Sequence, residues 1–256
     1  VLRRLAGPEP AGSQRLTLVC FPHAAGAAIN FQQLAAAVAA SDPQVAGYAL
    51  QAPGHDLSRR DEPLLELDEL AKLAVDEITA IGTPVALWGH CAGAPLAIEC
   101  AGRLGELVRH VFVGARVPEP EAGLAREIAA VVAAGDADLA ARLVARGGLE
   151  GGLDRSAMAF AGRVYRHDTR CANQYLLDAA QSRAGRRLGC PVTVVVAEDD
   201  PDTDAGRYRR WERFAADVEL VRLDGGGHLF CRSRPAQVAE LVLERLTSMS
   251  NSEVPA

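Results

Sequence analysis

Apolar residues come in short, dense runs along this chain, with little polar residue alternation inside them. LTLVCF (16–21), VAGYALQ (45–51), VALW (85–88), HVFVGA (110–115), VTVVVA (192–197) and VELVRL (218–223) are rich in Val and Leu. Runs of this length predict strands covered on both faces, as in a parallel sheet. Between them the spacing becomes helical, in FQQLAAAVAA (31–40), LDELAKLAVDEITAI (67–81) and PLAIECAGRL (95–104). Strand and helix in alternation predict an open, mostly parallel α/β sheet.

That rhythm breaks between residues 118 and 185. EAGLAREIAAVVAAG, DADLAARLVARG and RSAMAFAGRVYRHDTRCANQYLLDAAQSR follow one another with no strand between them, and Gly147-Gly148 and Gly151-Gly152 flank a flexible joint. One reading is a helical lid inserted within a single domain of residues 1–248, lying over the carboxyl edge of the sheet. The other is a pair of ordinary crossover helices with a long loop. The first is preferred, because a crossover needs far fewer residues. Residues 249–256 are expected to form a disordered tail.

Composition narrows the function classes. Of 256 residues 49% are hydrophobic, enough for a sizeable core, and the net charge of −6 disfavours a nucleic-acid-binding surface. No apolar run approaches the ~18 residues of a spanning helix, and no long apolar stretch follows Arg3 and Arg4 to make a secretion signal. A cytoplasmic protein without membrane partners is the expectation. The six cysteines, Cys20, Cys91, Cys100, Cys171, Cys190 and Cys231, are widely and irregularly spaced with no C-x-x-C pair. They read as reduced thiols, five of them small core hydrophobes.

Cys91 is the exception. VALWGHCAGAPLA (85–97) is a strand, a turn of the form G-x-C-x-G and a helix, the pattern that presents a nucleophile on a sharp bend. Gly89, Gly93 and Ala94 supply the small residues that a tight turn needs. A helix starting at Ala92 would favour the thiolate. A structural cysteine in a glycine-rich turn is the alternative, and the flanking strand and helix weigh against it. Such a nucleophile needs a base and an orienting acid, in the chain order nucleophile, acid, histidine. Of six histidines (His23, His55, His90, His110, His167 and His228), only His228 follows a late strand and three glycines, in LDGGGHLF. Asp200, just past VTVVVA, is the preferred acid, with Asp199 as the alternative and Asp224 behind both. Oxyanion donors are expected from the backbone N–H of Ala92 and, in FPHAAGAA (21–28), of Ala24, with Ala25 behind it.

FPHAAGAA, QAPGHDLSRRDEP, LWGHCAGA, FVGARVPEP, YRHDTRCANQY, AEDDP and GGGHLF occur in this order over nearly the whole chain. In these motifs the sequence resembles the type II thioesterases of polyketide and nonribosomal peptide assembly lines. The family usually has Ser at the position of Cys91, Gly at Ala25 and Arg at His55. The resemblance implies an α/β-hydrolase fold with a helical lid. It implies action in trans on acyl groups held as thioesters on the phosphopantetheine arm of carrier proteins. No metal or dissociable cofactor is implied, since the arm belongs to the partner. Carrier proteins are usually acidic, so Arg59, Arg60, Arg116, Arg166 and Arg170 are candidate contacts. Hydrolysis through a Cys91–His228–Asp200 triad is the first expectation, transfer to a second carrier thiol the next, and a non-catalytic binding module the third.

Overall fold

The computed structural model describes residues 1–8, 14–149, 152–182 and 187–252. Its strands are β1 (Leu2–Ala6), β2 (Leu16–Phe21), β3 (Val45–Leu50), β4 (Val85–His90), β5 (Val108–Gly114), β6 (Val192–Ala197) and β7 (Val218–Leu223). Its helices are α1 (Gln32–Ser41), α2 (Leu67–Ile81), α3 (Gly93–Leu104), α4 (Glu121–Ala133), α5 (Asp136–Ala145), α6 (Arg155–Gln181), α7 (Phe230–Ser233) and α8 (Pro235–Ser252).

The strands form one sheet in the order β1-β3-β2-β4-β5-β6-β7. All pairs are parallel except β1 with β3. Successive side chains on a strand point to opposite faces, and this divides the core in two. Val19, Phe21, Leu87, Val113 and Val194 pack with α2 and α3 on one face. Leu18, Cys20, Trp88, Phe112 and Val195 pack with α1 and α8 on the other. Helices on both faces are why the central strands read as unbroken apolar runs.

Two strands depart from the sequence reading. VELVRL becomes the edge strand β7, only half covered along most of its length. The opening LRRLA, to which the sequence reading assigned no element, is the antiparallel edge strand β1. At the other end, α8 is helical through Ser252, beyond the expected start of the disordered tail, and residues 253–256 lie outside the described residues.

Among the described residues, three helices, α4 to α6, lie between β5 and β6 with no strand among them. The 27-residue α6 starts where the Asp154 side chain accepts a hydrogen bond from Ala157 N–H at 2.8 Å. It lies hard against α5: a Cβ at Gly162 would stand 1.9 Å from the Asp136 carbonyl oxygen. Arg166 ties the group together, donating to the carbonyls of Val131 (3.1 Å) and Ala134 (2.6 Å) and to the Asp136 carboxylate.

Candidate active site

The bend after β4 is tight because its neighbours leave no room for side chains. A Cβ at Gly93 would fall 2.3 Å from the Phe21 carbonyl oxygen, and one at Gly89 2.5 Å from Ala94 Cα. The loop after β2 therefore lies directly on the start of α3. Between these glycines Cys91 takes φ 52°, a left-handed conformation uncommon outside glycine. Its N–H donates to the Gly114 carbonyl at 2.8 Å, fixing the bend to the end of β5. Ala25 (φ 57°) and Ala115 (φ 49°) share this conformation. All three follow parallel strands at the carboxyl edge of the sheet, and they are the only described non-glycine residues with positive φ.

The structure brings Cys91, His228 and Asp200 together. His228 Nδ1–H donates to Asp200 Oδ2 at 3.0 Å, and Cys91 lines the same cavity as the His228 ring, near enough for each group to shift the other's ionisation. Asp200 is fixed in turn by the Asp202 N–H (3.0 Å) and the Thr203 hydroxyl (2.6 Å). The alternative acid, Asp199, accepts from Gly226 N–H (3.2 Å) and Gly227 N–H (2.8 Å) instead. It shapes the loop that carries His228 and does not touch the ring. Asp224 faces Gln237. Beneath the site, buried neutral His90 donates from Nε2 to the His228 carbonyl at 2.7 Å. Burial pushes His90 down to about 3, with the neighbouring His228 adding to the shift, so its role is to hold the backbone.

Burial alone would raise the Cys91 thiol, but His228, Arg116 and Arg146 more than reverse this and hold it below the ordinary thiol range. Burial likewise opposes a charge on His228. The Cys91 sulfur and the Asp200 carboxylate override it and raise the ring to about 10. These opposed shifts both favour the charged forms, thiolate and imidazolium, over what burial alone would allow. Of the other five cysteines, Cys20, Cys100, Cys171 and Cys231 are buried and Cys190 is half-buried.

Ala92 caps α3, and Ala24 packs into the apolar cluster that also includes Ala92. Ala25 is not a spare donor: its N–H goes to Asp168 Oδ2 on α6 at 2.8 Å. The same oxygen meets His55 Nε2 at 2.9 Å, and His55 Nδ1 meets the Pro53 carbonyl at 2.9 Å. Asp168 thus joins α6 to two loops at the sheet's edge. It lies in the motif YRHDTRCANQY, but sequence reading assigned it no contact.

Of the arginines considered as surface contacts, Arg116 instead lines a cavity of about 210 Å³ with Cys91, Arg146, Tyr165 and His228. Arg166 is engaged with α4 and α5, Arg170 with Glu66, Arg59 with Glu62, and Arg60 with Ser156. A second, smaller cavity of about 60 Å³ runs from Ala92 and His23 toward Leu70 and Asp168. A groove of about 680 Å³ opens beside His228, Arg146, Arg232 and the exposed Ile29.

Among the described residues, two groups have donor atoms close enough to hold a metal: Asp200, Asp202 and His228, and Glu66, His167 and Cys171. A guanidinium already meets each. Arg146 pairs with Asp202 at 2.7 Å, and Arg170 contacts both Glu66 and Cys171.

A family model, the thioesterase domain, matches residues 16–246. The chain belongs to the thioesterase domain family. The chain is 31% identical over 228 residues to the "Probable cadicidin biosynthesis thioesterase" of Streptomyces griseus, covering 87% of this chain and 60% of that protein. It is 30% identical to the AMB antimetabolite synthetase AmbE of Pseudomonas aeruginosa, covering all of this chain and 12% of that much longer one. Among solved structures, the type II thioesterase BorB from the borrelidin biosynthetic cluster superposes with a TM-score of 0.74. It has 28% identity over 96% of this chain and 97% of that one. The seven-stranded sheet with helices on both faces is thus an α/β-hydrolase-like thioesterase fold. No described helix is long and apolar enough to cross a membrane.

Proposed function

We propose that this chain is a trans-acting thioesterase for acyl groups carried on the phosphopantetheine arms of carrier proteins in polyketide or nonribosomal peptide biosynthesis. Cys91 is the nucleophile, His228 the acid–base and Asp200 its orienting carboxylate. The observation that carries this reading is the Cys91 sulfur on a left-handed bend, in one cavity with a His228 ring that Asp200 holds.

The Cys91 thiolate attacks the thioester carbonyl. The Ala92 and Ala24 N–H groups stabilise the oxyanion that forms. As it collapses, the bond to the pantetheine sulfur breaks and His228 gives that sulfur its proton. Neutral His228 then takes a proton from water, whose oxygen attacks the acyl-enzyme. Cys91 leaves as thiolate beside the re-formed imidazolium. The helices α4 to α6 serve as the lid over this chemistry.

Transfer to a second carrier thiol is the second reading, and the sulfur itself favours it. An acyl group on serine is an oxygen ester, so return to a thiol is uphill. On Cys91 it stays a thioester, so passage to another thiol is close to neutral. Intact-mass analysis after mixing with an acylated carrier separates the readings. An adduct on Cys91 lost to water marks a hydrolase, and one that appears on an added unloaded carrier marks a transferase. No adduct and no turnover, with Cys91→Ser also inert, would remove both.

A further inference from the structure

The thioesterase reading leaves the acyl group unspecified, and the charges around Cys91 speak to it. Taking Cys91 as the acyl acceptor, we propose that Arg116 recognises a carboxylate on the acyl group, so that the preferred substrates are half-thioesters of short dicarboxylic acids.

Arg116 reaches the cavity because of the backbone before it. Gly114 accepts the Cys91 N–H, and Ala115 takes φ 49° with its N–H held by the Val195 carbonyl at 2.9 Å. The chain turns there, and the next side chain faces the nucleophile's cavity. The Arg116 backbone is pinned as well, its carbonyl accepting from Trp211 Nε1–H at 3.0 Å. The guanidinium is therefore placed by a rigid frame, as recognition requires.

Its partners are incomplete. One Nη donates to the side-chain carbonyl of Asn173, whose amide donates onward to Glu127 at 2.9 Å. Arg116 Nε is buried and has no partner among the described residues. Its described hydrogen-bond acceptor is thus a neutral amide. Of the other charges on the cavity wall, Asp202 is matched by Arg146, which also donates to Tyr165, and Glu119 by Arg207, while Glu127 accepts from the neutral Asn173 amide. Arg142 lies exposed on the same wall.

Arg116 as a residue is half-buried, but its Nε is buried and idle, and a buried charged donor without an acceptor is costly unless an anion completes it. In the resting enzyme the Cys91 thiolate is the anion whose charge Arg116 supports. Acylation removes that charge, because a thioester sulfur is neutral. Arg116 then faces the acyl group with Asn173 as its described partner. A carboxylate there would restore the balance and accept from the idle Nε, and the planar fork of arginine suits it. The cavity of about 210 Å³ holds about seven waters at roughly 30 Å³ each, which fits a short chain.

Alkylation of Cys91 tests this without relying on turnover. Iodoacetate and iodoacetamide differ in a carboxylate against an amide, and an ordinary thiol reacts faster with the neutral reagent. Here iodoacetate is expected to win by about tenfold or more at neutral pH, the scale of one charge-assisted hydrogen bond. Arg116→Gln is expected to return the ratio to that of an ordinary thiol, and Arg116→Lys to lie between. In parallel, succinyl and butyryl thioesters of N-acetylcysteamine are compared, with succinyl the faster. Wild-type protein that prefers iodoacetamide overturns the proposal whatever the variants do, and so does a ratio that Arg116→Gln leaves unchanged. Butyryl turnover equal to or above succinyl rejects it while leaving the thioesterase intact. Iodoacetate selectivity with no turnover of either thioester keeps the carboxylate site and rejects the thioesterase.

Discussion

At Cys91, burial and neighbouring charge pull ionisation in opposite directions, and the neighbours win. The thiol sits below its ordinary range, and His228 is raised to about 10. Alkylation by iodoacetamide is therefore expected to be fast at neutral pH and to fall only as the pH drops through the lowered thiol value. Removing the imidazole with His228→Ala leaves burial as the largest influence. The thiol should then move up, and the rate at pH 7 should fall by about tenfold or more. A profile unchanged by His228→Ala would show that the two groups are not coupled. That Cys91, His228 and Asp200 come to one place was legible in the sequence, because strand–turn–helix context and chain order constrain where the ends of parallel strands deliver their loops. Asp199 and Asp200 are adjacent, and only the loop conformation reveals that one grips glycine amides while the other meets the ring. The same holds for Arg116, whose direction depends on the left-handed turn at Ala115.

The central strands were legible at the scale of elements because burial on both faces writes itself as continuous hydrophobicity. The edges were not. LRRLA and VELVRL differ in composition yet both end the sheet, and position in a sheet is a tertiary fact that no local pattern encodes. Helix packing has the same character. Gly162 stands in the middle of α6, where glycine weakens a helix, and only the neighbour explains it. An alanine Cβ would lie 1.9 Å from the Asp136 carbonyl oxygen at the start of α5. The contacting atom is backbone, so a side-chain rotation does not relieve the clash. Gly162→Ala is expected to destabilise the chain by about 1–3 kcal/mol despite its better helix propensity, read as a lower urea midpoint. Proteolysis near residues 146–153, which join α5 to α6, should quicken too. A raised midpoint would mean that α5 yields and propensity prevails.

For the molecule as a whole, the question is what fastens α6 to the sheet. Hydrophobic packing supplies part of it, since Leu176 shares a core with α3. The polar part includes His167 on the Leu65 carbonyl, Arg170 on Glu66 and Arg116 on Asn173, and Asp168 adds to it by taking the Ala25 N–H and the His55 ring together. His55 has the Pro53 carbonyl on one ring nitrogen and the carboxylate on the other. Both partners are acceptors, so both nitrogens must donate, and a ring that donates twice is an imidazolium. Burial disfavours that charge, but Asp168 and the Pro53 carbonyl outweigh it and raise the ring above its ordinary value. The consequence for stability has a definite sign. A group whose pKa rises on folding stabilises fully below its unfolded value, about 6.5 for histidine, and loses that contribution as the pH climbs through the folded value. The link between α6 and the loop carrying Ala25 should accordingly be firmest in mild acid and weaken as the pH rises through the raised value of His55. The arginine usual at this position in the resembled family would hold its charge throughout. Asp168→Asn isolates the charge, because the amide oxygen can still accept from Ala25 N–H. Urea midpoints of the two proteins should differ most near pH 6 and converge as the pH is raised past the folded value of His55. A gap that stays constant across this range would mean that His55 is neutral in the folded protein and that Asp168 holds α6 through the Ala25 amide.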